Sequence, residues 1–268
     1  MDIVQAIILG LVQGVSEFVP ISSSGHLVLV PWLLGWPPPG LVFDTMVHWG
    51  TLVAVLAYFW RDFMALASAW GRSLASRNLG EPEARIAWLI IVGTLPAALM
   101  GYVGQDFFES LFAAPAWAAG LLLVTGLILA LSEWLGKRWK EPQQLAFLDS
   151  ILIGIAQGFA IAPGISRSGA TIAAGLFRGL KREAAARYSF LLATPIIFGA
   201  GLLQLLDLFK MENATAHLPA LLLGFLAAAL SGYLCIRFLL SYLQQGKLYV
   251  FAIYCWLAGG ASLLIALL

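Results

Sequence analysis

Apolar residues occupy most of the chain, in runs longer than those of a soluble domain. Six runs reach the length of about 20 residues that a helix needs to cross a bilayer. We predict spans at 41–60, 86–103, 116–135, 188–206, 218–240 and 249–268. Two further segments, 3–36 and 145–179, each hold a pair of shorter apolar runs around a polar turn. Such pairs predict re-entrant helix–turn–helix elements buried in protein or lining a wet cavity.

The two polar turns are copies of one element. A shift of 144 residues aligns seven identical residues without a gap: Gly10/Gly154, Gln13/Gln157, Gly14/Gly158, Ile21/Ile165, Ser22/Ser166, Ser24/Ser168 and Gly25/Gly169. Loops are predicted at 61–85, around Asp106 and Glu109, and at 207–217. The basic residues of 61–85, 137–140, 178–187 and 237–247 all fall on one side of the predicted spans, which the positive-inside rule places in the cytoplasm. Repeats of about 1–140 and 141–268 then have opposite orientations, and broken helices in such inverted repeats bind charged substrates near the membrane midplane.

Composition supports this assignment. The chain is 61% hydrophobic and 11% charged, with a mean hydropathy of +0.90, against about 45–50% and about 25% in soluble domains. A net charge of +1 without a basic stripe excludes a nucleic-acid partner. We therefore predict a single all-α integral membrane domain, with six transmembrane helices plus two re-entrant elements in an inverted-topology repeat. We expect this domain to lie in the lipid bilayer. Whether the chain forms a homodimer stays open.

The first turn carries the ionisable groups. Gln13 and Glu17 are four residues apart and share a helix face. A carboxylate in so apolar a run is a functional candidate; Glu17 could ligate a hard divalent cation, accept a proton or pair with a structural arginine. His26 suits proton transfer or attack on phosphorus, or is a hydrogen-bonded core residue. Asp44 and His48 support the site from the first span, or Asp44 complements a helix dipole.

Hydroxyl groups occur in both turns. Ser22, Ser23 and Ser24 precede Gly25, where a helix should begin, and they could cap that helix. A helix start also binds anions. The second turn places Arg167 between two serines, and its planar fork suits phosphate. We predict that the two turns meet and hold a diphosphate. The expected substrate-binding residues are Gln13, Ser22, Ser24, Gly25, Ser166, Ser168, Gly169 and Thr171.

These motifs resemble those of the undecaprenyl pyrophosphate phosphatase family, the bacitracin-resistance type of bacterial membrane phosphatase. The first family motif matches Gln13, Glu17, Pro20, Ser22, Ser23, Gly25 and His26. The second matches Pro163, Gly164, Ser166, Arg167, Ser168 and Thr171. The similarity runs nearly end to end. Some members have glutamate where this chain has Gln13, which leaves Glu17 as the only motif carboxylate and weakens a two-carboxylate metal site.

The resemblance implies hydrolysis of undecaprenyl diphosphate, a polyprenyl diphosphate lipid, to the monophosphate carrier and inorganic phosphate. It implies a divalent cation, Mg²⁺ or Ca²⁺, with Glu17 as a candidate ligand. It also implies a multi-pass protein of the bacterial inner membrane with an active site that opens to the periplasmic side. Its role would be recycling carrier lipid for peptidoglycan synthesis, with resistance to bacitracin.

We expect Glu17, Ser23, His26 and Arg167 to be catalytic. Two routes stay open: attack by Ser23 with His26 as base or acid, and attack by an activated water. The alternative function is that of a secondary transporter or flippase for a phosphorylated lipid, which the inverted repeat would also suit.

Overall fold

A computed structural model of the chain describes residues 1–208 and 214–268. The described residues form α-helices joined by turns and by a longer connection over 136–146, which contains a 3₁₀ helix at Pro142–Gln144. The helices are α1 Ile3–Phe18, α2 Ser23–Leu33, α3 Leu41–Tyr58, α4 Trp60–Ser76, α5 Pro82–Val103, α6 Gln105–Phe112, α7 Pro115–Leu135, α8 Phe147–Phe159, α9 Arg167–Phe177, α10 Arg182–Leu208, α11 Ala214–Leu243 and α12 Tyr249–Leu267.

Six of these helices are long and apolar enough to cross a membrane, which confirms the predicted spans. They are α3, α5, α7, α10, α11 and α12. Three begin at least four residues earlier than predicted, α5 at Pro82, α10 at Arg182 and α11 at Ala214. Proline fits the first turn of a helix, where its missing N–H has no intrahelical partner. The predicted external loop at 207–217 lies partly outside the described residues.

Two pairs of shorter helices, α1 with α2 and α8 with α9, occupy the positions predicted for the re-entrant elements. The second helices of the pairs begin and end 144 residues apart, at Ser23–Leu33 and Arg167–Phe177. Both pairs are compatible with re-entrant elements in an inverted repeat, which stays a prediction. The turn of the first pair consists of residues 19–22 and that of the second pair of residues 160–166. Because both turns are short, each pair is a compact unit.

Repeated glycines allow the short helices to contact neighbouring spans. A Cβ atom on Gly10 of α1 would lie 2.3 Å from the carbonyl oxygen of Gly224 in α11. A Cβ atom on its repeat partner, Gly154 of α8, would lie 2.1 Å from the carbonyl oxygen of Gly93 in α5. Small residues at such crossings let helix backbones approach closely in a membrane. The glycine that both copies share therefore fixes each short helix against a long one.

Two helices occupy segments that we predicted to be loops, and this part of the prediction was wrong. α4 fills most of the basic segment 61–85, and α6 lies in the acidic segment after α5. The polar side of α4 obscured its helical period in the sequence. Its buried side faces α5, where the Trp88 indole N–H donates to the Ser73 hydroxyl over 3.1 Å.

Buried carboxylates neutralise part of the basic clusters that gave the topology. Glu133 of α7 accepts hydrogen bonds from Arg182 and, over 3.2 Å, from the backbone N–H of Leu248, and Arg138 lies 3.0 Å away. This cluster joins α7 to the starts of α10 and α12. A second buried carboxylate, Asp149, binds Lys140 and Arg178 at 3.2 and 2.5 Å.

Candidate active site

The two polar turns meet, as the sequence predicts. The Ser22 hydroxyl caps α2 by accepting from the Gly25 N–H at 3.3 Å, and it also accepts from the Gly164 N–H of the second turn at 3.2 Å. Ser22 has a φ of 70°, a conformation that costs a non-glycine residue about 1–3 kcal/mol. A Cβ atom on Gly25 would lie 3.0 Å from the Cα of Gly164. A side chain at Gly25 would therefore crowd the backbone of Gly164.

A charge pair joins the turns at their centre. The Glu17 carboxylate, with 3% of its side chain exposed, forms an ion pair with Arg167, whose side chain is 20% exposed. The other carboxylate oxygen, Oε2, accepts from the Ser23 hydroxyl at 2.5 Å and from the Gln13 amide at 3.0 Å. The predicted shared face of Gln13 and Glu17 is thus confirmed. The motif arginine of the second turn compensates the buried charge of the first.

The hydroxyls of the second turn shape that turn. Ser166 caps α9 by accepting from the Gly169 N–H at 3.0 Å, and its hydroxyl lies 3.2 Å from that of Ser168. Ser168 donates to the carbonyl of Val19 in the first turn at 3.4 Å. Thr171 donates to the Arg167 carbonyl at 2.8 Å. In the first turn, the Ser24 hydroxyl lies beside that of Ser22, as the Ser168 hydroxyl lies beside that of Ser166.

Capping therefore explains Ser22 and Ser166 locally, and Ser24 lies 3.4 Å from the Ser22 hydroxyl. Ser23 differs because its hydroxyl turns to a carboxylate rather than to the backbone. α2 begins at Ser23 and α9 at Arg167, so the positive ends of two helix dipoles converge beside the Glu17 charge. Two helix starts and a guanidinium make a cradle suited to an anion, and in this structure the Glu17 carboxylate occupies it.

The histidines occupy different places. The His26 ring nitrogen Nδ1 lies 2.7 Å from the Ser22 carbonyl oxygen, and Nε2 lies 2.7 Å from the hydroxyl of Tyr254. His48 Nε2 lies 3.8 Å from Glu17 Oε2, and its Nδ1 contacts the backbone carbonyl of Asp44 at 2.7 Å. The structure brings His48 to the carboxylate. Asp44 contributes its backbone to this arrangement, while its carboxylate oxygen Oδ1 is buried without a partner among the described residues.

Sequence reasoning missed three polar residues that support the turns. Thr125 of α7 donates to the Gly164 carbonyl at 2.8 Å and accepts from the Ser166 N–H at 3.0 Å. The Ser189 hydroxyl lies 2.6 Å from that of Thr171, and Tyr254 contacts His26. Thr125 and Ser189 are nearly fully buried. A buried hydroxyl in an apolar span was the one available signal, and it does not identify the partner.

Oxygen ligands for a divalent cation are present in part. The Gln13 amide oxygen is buried without a partner among the described residues, next to the Glu17 carboxylate and the Ser23 hydroxyl. The described residues contain no cluster of three or more His, Cys, Asp or Glu side chains that could hold a metal. These oxygens fit a magnesium-type ion that takes one carboxylate and completes its shell with substrate phosphates.

The fold and the site define a polytopic helical membrane protein with an anion cradle between two helix starts. The family model described as bacitracin resistance protein BacA matches residues 6–261, and the chain belongs to this family. It is 45% identical to the undecaprenyl-diphosphatase of Desulforudis audaxviator, over 100% of this chain and 99% of that one. It is 44% identical to that of Thermomicrobium roseum, over 95% and 94%, and 45% identical to that of Methanosphaera stadtmanae, over 99% of each.

Proposed function

We propose that the protein hydrolyses undecaprenyl diphosphate to undecaprenyl phosphate and inorganic phosphate. Full-length relatives bear the name of that activity. The observation that carries the proposal is the contact of one buried carboxylate with both a serine hydroxyl and an arginine, at Glu17, Ser23 and Arg167. A nucleophile, its base and a countercharge for phosphate are thus adjacent. The product is the carrier lipid of peptidoglycan synthesis, and its recycling accounts for the resistance in the family name.

The substrate enters with its two chemically different ends in different surroundings. The prenyl tail lies against the apolar outer faces of the helices, while the diphosphate reaches the cradle between the turns. There, Arg167 leaves Glu17 in part to bind the phosphate oxygens, and the starts of α2 and α9 stabilise the charge that develops on them. A fifth of the Arg167 side chain is exposed, so an incoming anion can reach part of this residue.

Ser23 is the nucleophile that the geometry favours. Its hydroxyl already donates to Glu17 Oε2, so the carboxylate takes the proton as Oγ attacks the terminal phosphorus. The P–O bond to undecaprenyl phosphate breaks, and water then hydrolyses the phosphoserine to release phosphate. The sequence suggested His26 as the base for Ser23, but the described contacts of Ser23 lead to Glu17 instead. His26 is left to supply a proton to the leaving oxygen.

A divalent cation is part of the proposal. The Gln13 amide oxygen, the Glu17 carboxylate and the Ser23 hydroxyl are the groups that would hold it. When bound, a Mg²⁺ or Ca²⁺ ion would neutralise charge on the diphosphate. The requirement would appear as activity lost on chelation and restored by the added ion.

Phosphate release by the purified protein in detergent tests the function. Glu17→Gln, Ser23→Ala, His26→Ala and Arg167→Lys are each expected to lower the rate by at least about 10²-fold. Glu81→Gln is the matched control, since this carboxylate pairs with Arg72 at the surface and 48% of its side chain is exposed. A transporter or flippase cannot show its activity in micelles, so an absence of phosphate release, with lipid movement in vesicles, would replace hydrolysis by transport.

A covalent intermediate separates the two chemical routes. Acid quenching of a single turnover with labelled terminal phosphate should leave label on Ser23, and Ser23→Ala should remove it. Label that appears only in free phosphate, with none on the protein at any quench time, would assign the attack to water.

We propose that the site opens to the periplasmic side of the inner membrane. Support comes from the basic clusters, which are on the side opposite to the segment carrying Asp106 and Glu109. Cysteine substituted at Asp106 should react with an impermeant maleimide added to intact cells, and cysteine at Arg77 should not react until the cells are opened. The reverse pattern would invert the topology.

A further inference from the structure

The structure fixes the tautomer of His26. The Ser22 carbonyl oxygen, 2.7 Å from Nδ1, can only accept a hydrogen bond, so Nδ1 must carry hydrogen. In the neutral ring, Nε2 then holds a lone pair, and the Tyr254 hydroxyl 2.7 Å away donates to it. Only Nε2 is free to gain or lose a proton. The group that faces Nε2 therefore determines whether His26 can gain or lose a proton.

A phenol suits both protonation states of this nitrogen. When Nε2 is neutral, the Tyr254 hydroxyl donates to it; when Nε2 is protonated, the same oxygen accepts from it. A carbonyl could serve only the protonated ring, and an amide N–H only the neutral one. The hydroxyl therefore keeps His26 in one orientation while its proton comes and goes. The near-parallel rings, at 14° with centroids 5.7 Å apart, fix the plane as well.

α12 reaches the first turn at this point. Next to Tyr254, the Cys255 thiol lies 3.8 Å from the Pro20 carbonyl oxygen, so two successive residues of α12 contact the first turn and the start of α2. His26 is 9% exposed and Tyr254 is 42% exposed. No described contact joins Tyr254 to Glu17 or Ser23, so any effect of Tyr254 on the reaction passes through His26.

From these contacts we propose that Tyr254 is a positioning residue for His26. Its hydroxyl holds the protonated Nε2 beside the leaving oxygen, which takes the Nε2 proton as the P–O bond breaks, and the hydroxyl then donates to the neutral nitrogen. The proposal rests on the proposed function, because it assigns Tyr254 a part in the same reaction. Sequence reasoning treated α12 as a plain membrane span. The contact makes this last helix a part of the active site, 228 residues away from His26 along the chain.

Tyr254→Phe is the test, because it keeps the ring and its packing and removes only the hydroxyl. Loss of one hydrogen bond of this kind predicts about a tenfold lower kcat, with KM nearly unchanged because Tyr254 does not contact the diphosphate site. Tyr249→Phe, the same substitution five residues earlier in α12, should leave both constants unchanged. In a His26→Ala background, Tyr254→Phe should have no further effect, since coupled residues lose their effects together.

A second measurement does not depend on activity. In protein labelled with ¹⁵N-histidine, His26→Ala identifies the His26 signals, and Tyr254→Phe should shift the Nε2 signal toward that of an unbonded ring nitrogen. An unmoved Nε2 signal, or a further loss of rate in the His26→Ala background, would overturn the proposal. If the unaltered protein released no phosphate, the proposed function would fail, whereas the ¹⁵N shift would still report the Tyr254 contact.

Discussion

Replacing Arg167 by alanine leaves the Glu17 carboxylate without its countercharge in a position where 3% of the side chain is exposed. The carboxylate must then stay ionised in a poor dielectric or take up a proton. Protonating a carboxyl with an ordinary pKa of about 4.3 costs about 3.7 kcal/mol at pH 7, and about 1 kcal/mol at pH 5. The first value falls within the range of about 3–5 kcal/mol for breaking a buried ion pair. Since Arg167 is partly exposed, solvent already weakens the pair, and we expect a loss of about 3 kcal/mol.

The sign of the pH effect follows from the protonated carboxyl of the variant. A folded state that binds a proton more tightly than the unfolded state is penalised above the ordinary pKa, and the penalty shrinks as the pH falls toward it. Unfolding free energies from denaturant titration in mixed micelles, at pH 7 and pH 5, measure this directly. Adding Glu17→Gln to Arg167→Ala should recover most of the lost stability, because no buried charge then remains, yet it should not recover activity.

The control is Arg72→Ala, which breaks the ion pair between Arg72 and Glu81, with 58% and 48% of their side chains exposed. This change should leave stability unmoved at both pH values, since exposed pairs contribute little. A loss for Arg167→Ala that is the same at pH 7 and pH 5, or no recovery in the double variant, would refute the role of Arg167 as the countercharge of Glu17.

Three further outcomes are expected. Gln13→Glu places a second carboxylate beside Glu17 and should lower the half-activating concentration of Mg²⁺ or Ca²⁺ about tenfold after chelation; an unchanged titration would remove Gln13 from the cation site. Thr125→Val breaks two hydrogen bonds to the second turn, so it should lower the unfolding free energy by about 1–3 kcal/mol and slow phosphate release. Thr125→Ser keeps both hydrogen bonds and serves as the control. Equal behaviour of the two variants would contradict this prediction. Glu133→Ala should lower the unfolding free energy by about 3–5 kcal/mol and leave the turnover per folded molecule unchanged, whereas Glu141→Ala at the exposed pair should change little. A loss of turnover per folded molecule in Glu133→Ala would contradict this purely structural role.

The spans and the turns were predictable because hydrophobicity and repetition are properties of short stretches. A run of about 20 apolar residues predicts a membrane helix without knowledge of its neighbours. The repeat equivalence of Gly10 and Gly154 is visible in the sequence, and both prove to contact backbone of a crossing helix. α4 was missed because its charged residues made 61–85 read as a loop, although the helix buries Leu66 and Ala69 on one side.

Partners far apart in the chain were not predictable. Thr125 and Tyr254 are single polar residues in apolar spans, and nothing near them in sequence indicates the turn or the histidine that they contact. His26 shows that nearness in the sequence can also mislead. It is three residues from Ser23 in the chain, and the sequence suggested that the two act as a pair. Its ring instead faces Tyr254, because side-chain direction depends on the surrounding packing.

The division of charge between the turns has a consequence for how the site forms. Glu17 is on the first copy of the repeat and Arg167 on the second, so neither copy alone holds a neutral site. A buried carboxylate without its partner is costly, and the cost is relieved only when the second turn docks through the contact of Ser22 with Gly164. The same contact brings Arg167 to Glu17, the carboxylate that accepts a hydrogen bond from the Ser23 hydroxyl. The ion pair that neutralises Glu17 therefore forms only when the two halves of the chain come together.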